Sequence, residues 1–377
     1  MFLSDEERKE TIWACRFCMM CHVADRVAAV VRREPFTPRG RAAILWGLEQ
    51  GFLEWNDEVA DIMYTAVNDG LLEKWCVGNY NYEELVVDTR ARLFRKGAVP
   101  EEVRQVVDGL HAGRDPGPRP EDILRRAGVA LDAGAERVLF CGCTARSQQA
   151  GTLVQMGRLF NAAGVPFNVL ADEPCCGWPL YQLGDFEGAA TFSKRIAGML
   201  RDAGAQEVVA VDADCFRMFT TRTSRFGGDI TGLSFKHAVQ VLADWLADAR
   251  LTVSEKIPGP VTYHDPCSLA RYRVELEAPR AVLAHIVDGE VREMETSGAK
   301  ANCCGAGGML QATKPEVALQ VAGLRLNEAA ETGATLMATA CTRCDAAFLA
   351  AMEKDPSLPR LQIGNLIGLV ARAVRAG

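Results

Sequence analysis

The 377-residue chain has no apolar run approaching the roughly 18 residues that a membrane span needs, which argues against a transmembrane segment. It has no surplus of positive charge. Its 42 Lys and Arg stand against 49 Asp and Glu, a net charge of -7, and this excludes the basic surface expected of a nucleic-acid-binding protein. No G-x-G-x-x-G run follows a strand-like segment and no Walker loop is present, so the chain shows no nucleotide or flavin site of its own. The first residues, MFLSDEERKE, are acidic and poor in apolar side chains and do not read as an export signal. The expected location is therefore the cytoplasm, with attachment at the membrane periphery only through a complex. Against these absences stand 14 cysteines. In a reducing compartment they read as metal ligands or redox groups rather than structural disulfides.

The cysteines fall into three groups: Cys15, Cys18, Cys21 and Cys76; then Cys141, Cys143, Cys175, Cys176 and Cys215; then Cys267, Cys303, Cys304, Cys341 and Cys344. The second and third groups look like copies. EPCCGWP and ANCCGAGG lie 128 residues apart, Cys215 and Cys344 lie 129 apart, and Cys143 and Cys267 lie 124 apart. Each double cysteine is followed by a long helical stretch, GAATFSKRIAGMLRDAGA or EVALQVAGLRLNEAAETGA, and then by an apolar run. Such a repeat points to a duplicated unit in pseudo-twofold arrangement.

Within each copy, short runs rich in β-branched residues (RVLF, FNVL and EVVAV in the first) read as buried strands separated by helices. The fold class is therefore α/β with parallel sheets. The cysteines follow strands, at the carboxyl edge where open α/β sheets bind ligands. The N-terminal third reads as helical instead, with GRAAILWGLEQGFL and EEVRQVVDGLHAG as its clearest segments. A Pro- and Gly-rich stretch at 111–123 marks a linker. The expected domains are 1–115, 130–250 and 258–377. The C-terminal NLIGLVARAVRAG is expected to pack on the core rather than lie on a membrane.

The run CRFCMMC places Cys15, Cys18 and Cys21 at C-x2-C-x2-C, a spacing that wraps three soft thiolates around a compact cluster. In the bacterial ferredoxin run a fourth cysteine follows and serves a second cluster. Here that position is Asp25. If Cys76 ends a second run, the other three positions of that run are Ala66, Asp69 and Leu72. All ligands of one cluster survive and all those of the other are gone, which predicts one cubane [4Fe-4S] cluster on Cys15, Cys18, Cys21 and Cys76. Zinc is the competing reading, but structural zinc usually takes paired C-x2-C hooks. His22 is expected to be a hydrogen-bonded neighbour. Met19 and Met20 are expected to pack around the thiols.

Cys267, the CCG of 303–305 and the CTRC of 341–344 resemble the cysteine-rich (CCG) domain of the B and D subunits of heterodisulfide reductases, of the glycolate oxidase iron–sulfur subunit and of lactate-utilisation proteins. PRGR, Pro38 to Arg41, resembles the glycolate oxidase type. The resemblance covers nearly the whole chain and implies a helical ferredoxin-like N-terminal domain followed by two pseudo-symmetric CCG units. It also implies that Cys267, Cys303, Cys304, Cys341 and Cys344 hold a noncubane [4Fe-4S] cluster. Gly305, Gly307 and Gly308 would then let main-chain N–H groups approach cluster sulfurs.

The middle unit is incomplete. Asp212 stands where the 129-residue offset calls for a cysteine, and Cys141 is the one thiol available as a substitute. A second cluster with altered ligation, a different metal such as zinc, and a vestigial site kept for packing all remain open. His264 and Asp265 are expected to hydrogen-bond around the last site, with proton transfer to a thiol as the alternative. Arg146, Arg271 and Arg343, each close to a ligand cysteine, either offset cluster charge or lie at the surface. Trp178 is expected in the core.

The resemblance implies an iron–sulfur electron-transfer subunit of a flavin-dependent dehydrogenase complex. A flavoprotein partner would oxidise a 2-hydroxy acid or similar small substrate, with a quinone or electron carrier as acceptor. The alternative is a heterodisulfide reductase-like enzyme that cleaves a disulfide at the noncubane cluster. A zinc-binding scaffold without redox function is the third class.

Overall fold

The computed structural model describes residues 3–78, 81–113 and 117–375. Strands β1 (Arg137–Phe140), β2 (Glu207–Ala210) and β3 (Ser234–His237) form a parallel sheet in that order. Strands β4 (Ile257–Pro258), β5 (Val261–His264), β6 (Val287–Asp288), β7 (Val291–Arg292), β8 (Leu336–Thr339) and β9 (Gln362–Asn365) follow. Four of them build a second parallel sheet, ordered β7-β5-β8-β9, while β4 and β6 pair separately. Helices cover the strands, so β2, β5 and β8 carry near-continuous buried residues, as parallel strands enclosed on both faces do.

FNVL does not form a strand. It contributes one parallel bridge, Asn168 beside Val138. Pro166 lacks an N–H, and the Asn168 side chain accepts the N–H of Val169 at 2.8 Å, so the backbone is drawn away from a longer ladder. Its counterpart in the second sheet, β7, is only two residues long. Counting this bridge, the two sheets share one strand order, and equivalent strands are offset by 124 to 129 residues.

The two units meet reciprocally. The helix Ala150–Ala162 packs on Leu366–Ala373, and the equivalent pair, Ala238–Ala247 on Glu277–Ile286, packs the same way. Cys143–Gln148 meets Thr342–Lys354, and Ala213–Thr221 meets Cys267–Ala270. This is an isologous interface of the kind that joins twofold dimers, here within one chain. The C-terminal helix belongs to it, with Leu366, Ile367, Leu369 and Val370 buried.

The N-terminal residues form helices, among them Asp5–Ala14, Pro38–Glu49 and Tyr82–Arg95. Ser4 and Glu7 close a capping box on the first. Thr37 caps the second and Pro38 occupies its first turn. Of the expected linker, Arg114, Asp115 and Pro116 lie outside the described residues. The part beyond them is tied down, because Arg146 donates to the carbonyls of Gly117 and Pro118.

Candidate metal centres

Cys15, Cys18, Cys21 and Cys76 line one pocket together with Pro38, Arg39, Leu72 and Gly78. Cys15 ends the first helix, Cys21 begins the short helix Cys21–Ala24, and Cys76 ends Leu72–Trp75. Phe17, at φ 50°, turns the chain between the first two cysteines. Burial pushes the Cys21 thiol up to about 11, so metal binding here must displace protons. Arg39 faces Cys15 and Cys21 while its Nε donates to Glu34 at 2.7 Å. His22 pairs with Glu34 at 3.1 Å. Met19 and Met20 are exposed rather than packed; Met20 lines the rim of the thiol pocket. Asp25 accepts the Ala28 N–H and caps the helix Arg26–Val31.

In the middle unit, four thiols touch in series: Cys143 to Cys175, Cys175 to Cys176, and Cys176 to Cys215. Cys141 stays apart from them. Its sulfur lies against the carbonyl of Leu139 at 3.9 Å, and its N–H and that of Gly142 donate to the buried carboxylate of Glu173 at 2.7 and 2.8 Å. Asp212 faces the other unit. Its Oδ1 caps the helix Ala213–Thr221, and its Oδ2 accepts from the Thr342 hydroxyl at 2.6 Å and lies 3.7 Å from the Cys341 sulfur.

In the last unit, Cys304 touches Cys303 and Cys344, and Cys344 touches Cys341. Cys267, at the start of its helix, faces Arg271, Asp214 and Cys304. Side-chain hydrogen bonds from Cys303 and Cys344, with His264 also facing it, lower the Cys304 thiol well below its ordinary value. His264, Cys304 and Cys344 present ligand atoms within 4.8 Å of one another. Arg325 Nε donates to His264 Nδ1 at 3.2 Å, which leaves Nε2 to carry the ring proton toward Cys304. His264 Nε2 is buried near Cys304 without a hydrogen-bond partner among the described residues, and Asp265 is engaged by Arg280 at 2.9 Å.

All three arginines beside these thiols are buried. Arg146 Nη1 donates to the Glu173 carbonyl at 2.6 Å, Arg271 binds Asp69 at 3.0 Å, and Arg343 binds Asp214 at 2.9 Å. Trp178 is buried beneath the guanidinium of Arg217. The Gly305 N–H reaches Cys303 Sγ at 3.3 Å. Gly307 and Gly308 meet a neighbour with no signal in the sequence. A Cβ there would lie 2.2 Å from the Val67 carbonyl and 2.3 Å from that of Ala66. Residues 66 and 67 of the N-terminal part therefore lie against the double-cysteine loop of the last unit.

Sequence reasoning also missed Arg90. Its Nε and Nη2 donate to the carbonyls of Met63 and Ala66, and Nη1 donates to Gln182 and Gly308, at 2.8 to 3.1 Å. This one side chain ties the N-terminal helices to both later units. Glu173, which clasps the β1 turn, was missed as well. An Arg or Glu inside a helical or loop pattern carries no mark of burial, so composition alone does not reveal either.

The donor sets fit soft-metal clusters: they are all-thiol and gathered from several elements, with every thiol buried or half-buried except that of Cys18. Residues 138–220 and 261–348 each match the family model of the cysteine-rich domain, CCG. The chain is 28% identical over 344 residues to the D subunit of dihydromethanophenazine:CoB–CoM heterodisulfide reductase from Methanosarcina barkeri, covering 89% of this chain and 83% of that protein. It is 25% identical to the B subunit of fumarate reductase (CoM/CoB) from Methanothermobacter marburgensis, covering 90% of this chain and 65% of that protein. A hypothetical protein from Helicobacter pylori of known crystal structure shares the fold, with a TM-score of 0.59 at 9% identity over 99% of this chain and 73% of that one. Among the described residues no helix is long and apolar enough to cross a membrane. Both α/β units thus match the cysteine-rich (CCG) domain model, with their double-cysteine loops in equivalent places, and the chain is similar over most of its length to heterodisulfide reductase D subunits.

Proposed function

We propose that the chain is the iron–sulfur subunit of an oxidoreductase complex. The observation that carries this reading is the gathering of three thiol sets, two of them at the carboxyl edges of parallel sheets that meet on a local twofold. Cys15, Cys18, Cys21 and Cys76 would hold a cubane [4Fe-4S] cluster, and Cys267, Cys303, Cys304, Cys341 and Cys344 a noncubane one. When bound, such clusters supply one-electron storage and relay. The chain's own residues hold the thiols in place, exclude water from two of the three sets, and offer N–H donors from Gly305 and His264 to ligand sulfurs. We assign the ferredoxin-like part to 1–115 and the two CCG units to 130–250 and 258–377. A flavoprotein dehydrogenase acting on a 2-hydroxy acid or similar substrate is the partner we infer, with a quinone or carrier as acceptor.

A second reading, reduction of a disulfide at the last site, is favoured by the similarity to a heterodisulfide reductase subunit over 89% of this chain. Purification with native partners under anaerobic conditions separates the two. Bound flavin and reduction by a hydroxy acid support the first, and disulfide-dependent oxidation supports the second. Within either, Cys304→Ser should lower the iron content and leave the N-terminal cubane signal intact. Full iron and unchanged turnover in that variant would reject the five-cysteine site.

A further inference from the structure

Two pairs of equivalent residues face each other across the local twofold. Asp212 and Cys341, offset by 129 residues, approach to 3.7 Å, and Asp214 and Arg343, with the same offset, pair at 2.9 Å. The axis therefore runs between the N-termini of the helices Ala213–Thr221 and Thr342–Lys354. In a chain with two complete units a cysteine would stand at both of the first two positions. Here one of them is a carboxylate.

Three features show what that carboxylate does. Its oxygens accept from the Asp214 N–H and the Thr342 hydroxyl, and its charge faces Cys143 and Cys215 of the middle set as well as Cys341. It is buried and makes no ion pair within 4.0 Å among the described residues; Arg343, whose Nε pairs with Asp214, faces it from farther off. The extra thiol available to replace it, Cys141, is turned toward a backbone carbonyl.

We propose that Asp212 is a positioning residue of the C-terminal site and no ligand of the middle one. It places a negative charge against Cys341 that disfavours adding an electron to the neighbouring cluster and so lowers that cluster's reduction potential. The middle site is correspondingly a four-thiol centre of Cys143, Cys175, Cys176 and Cys215. This inference rests on the five-cysteine cluster proposed above.

The test uses the full chain, reconstituted anaerobically with iron and sulfide, as wild type, Asp212→Asn and Asp212→Glu. Asparagine keeps the helix cap through its one oxygen and can donate from its amide nitrogen to the Thr342 hydroxyl, so folding is preserved while the charge is removed. Iron and sulfide per chain are counted, and each cluster's midpoint is read by EPR-monitored redox titration. Asp212→Asn should keep wild-type iron, shift the C-terminal midpoint to a more positive potential and leave the N-terminal cubane, the internal reference, unmoved. Asp212→Glu should stay nearer to wild type. An unmoved C-terminal midpoint overturns the proposal, and so does iron loss in Asp212→Asn, which would make Asp212 a ligand. A wild-type chain without a C-terminal cluster signal would instead reject the reading on which the proposal rests.

Discussion

Replacing Arg90 with methionine should cost the protein about as much as any single change it can make. The guanidinium is fully buried, and burial pushes it down to about 10, so it remains charged at neutral pH. Methionine fills similar space and donates nothing, leaving the carbonyls of Met63, Ala66, Gln182 and Gly308 without this donor. A buried acceptor left unmet costs about 1–3 kcal/mol, and taking the lower end for each gives a loss of roughly 4 kcal/mol. Because the acceptors belong to three parts of the chain, the loss should also uncouple them. Urea unfolding followed by far-UV circular dichroism should show a lower midpoint and a separate early transition for the N-terminal helices. Arg90→Lys, with a single point of donation, should restore less than half of the loss. A methionine variant within about 1 kcal/mol of wild type and with one transition would refute the idea that this side chain joins the three parts.

Cys141→Ala should leave iron and sulfide content at wild-type levels after reconstitution, since its thiol faces Leu139; metal analysis showing a loss would place it among the ligands. His237 is buried, and desolvation holds its imidazole down to about 4 against an ordinary 6.5. The folded state therefore prefers the neutral ring. The stability this represents is whole above pH 6.5 and is lost as the pH falls toward 4, amounting to up to about 3 kcal/mol relative to His237→Asn. Parallel denaturation curves for the two proteins across that range, with a constant difference, would contradict this.

The duplication was legible because it is written twice. Two double cysteines, two helical stretches and two apolar runs at nearly constant offset led directly to the shared strand order. The thiol sets were legible for the same reason, since cysteine spacing is a local signal. What could not be read was everything made by apposition. Gly307 and Gly308 were assigned to cluster sulfurs, yet both also admit the carbonyls of residues 66 and 67, some 240 positions away in sequence. Asp212 read as a missing ligand, and its engagement by Thr342 emerges only when the second unit is folded against the first. FNVL had strand composition, but a proline and a self-bonding asparagine limit it to one bridge. Arg271 and Arg343 could have been surface charges until their acidic partners, Asp69 and Asp214, were located in other units.

The reciprocal helix contacts bear on how such a gene can be rearranged. Each unit covers the apolar flank of its twin, so neither flank was ever shaped to meet water. A break in the reading frame between β3 and β5 would release two fragments, each baring the faces of two helices, and they would persist only by finding each other again. A break near 114–116 would cut no such reciprocal contact, although Arg90 and the seam at residues 66–67 would still have to re-form between separate chains. The two later units should therefore travel through evolution as one indivisible gene segment, while the N-terminal helices are the part that can be exchanged, fused or supplied by another polypeptide.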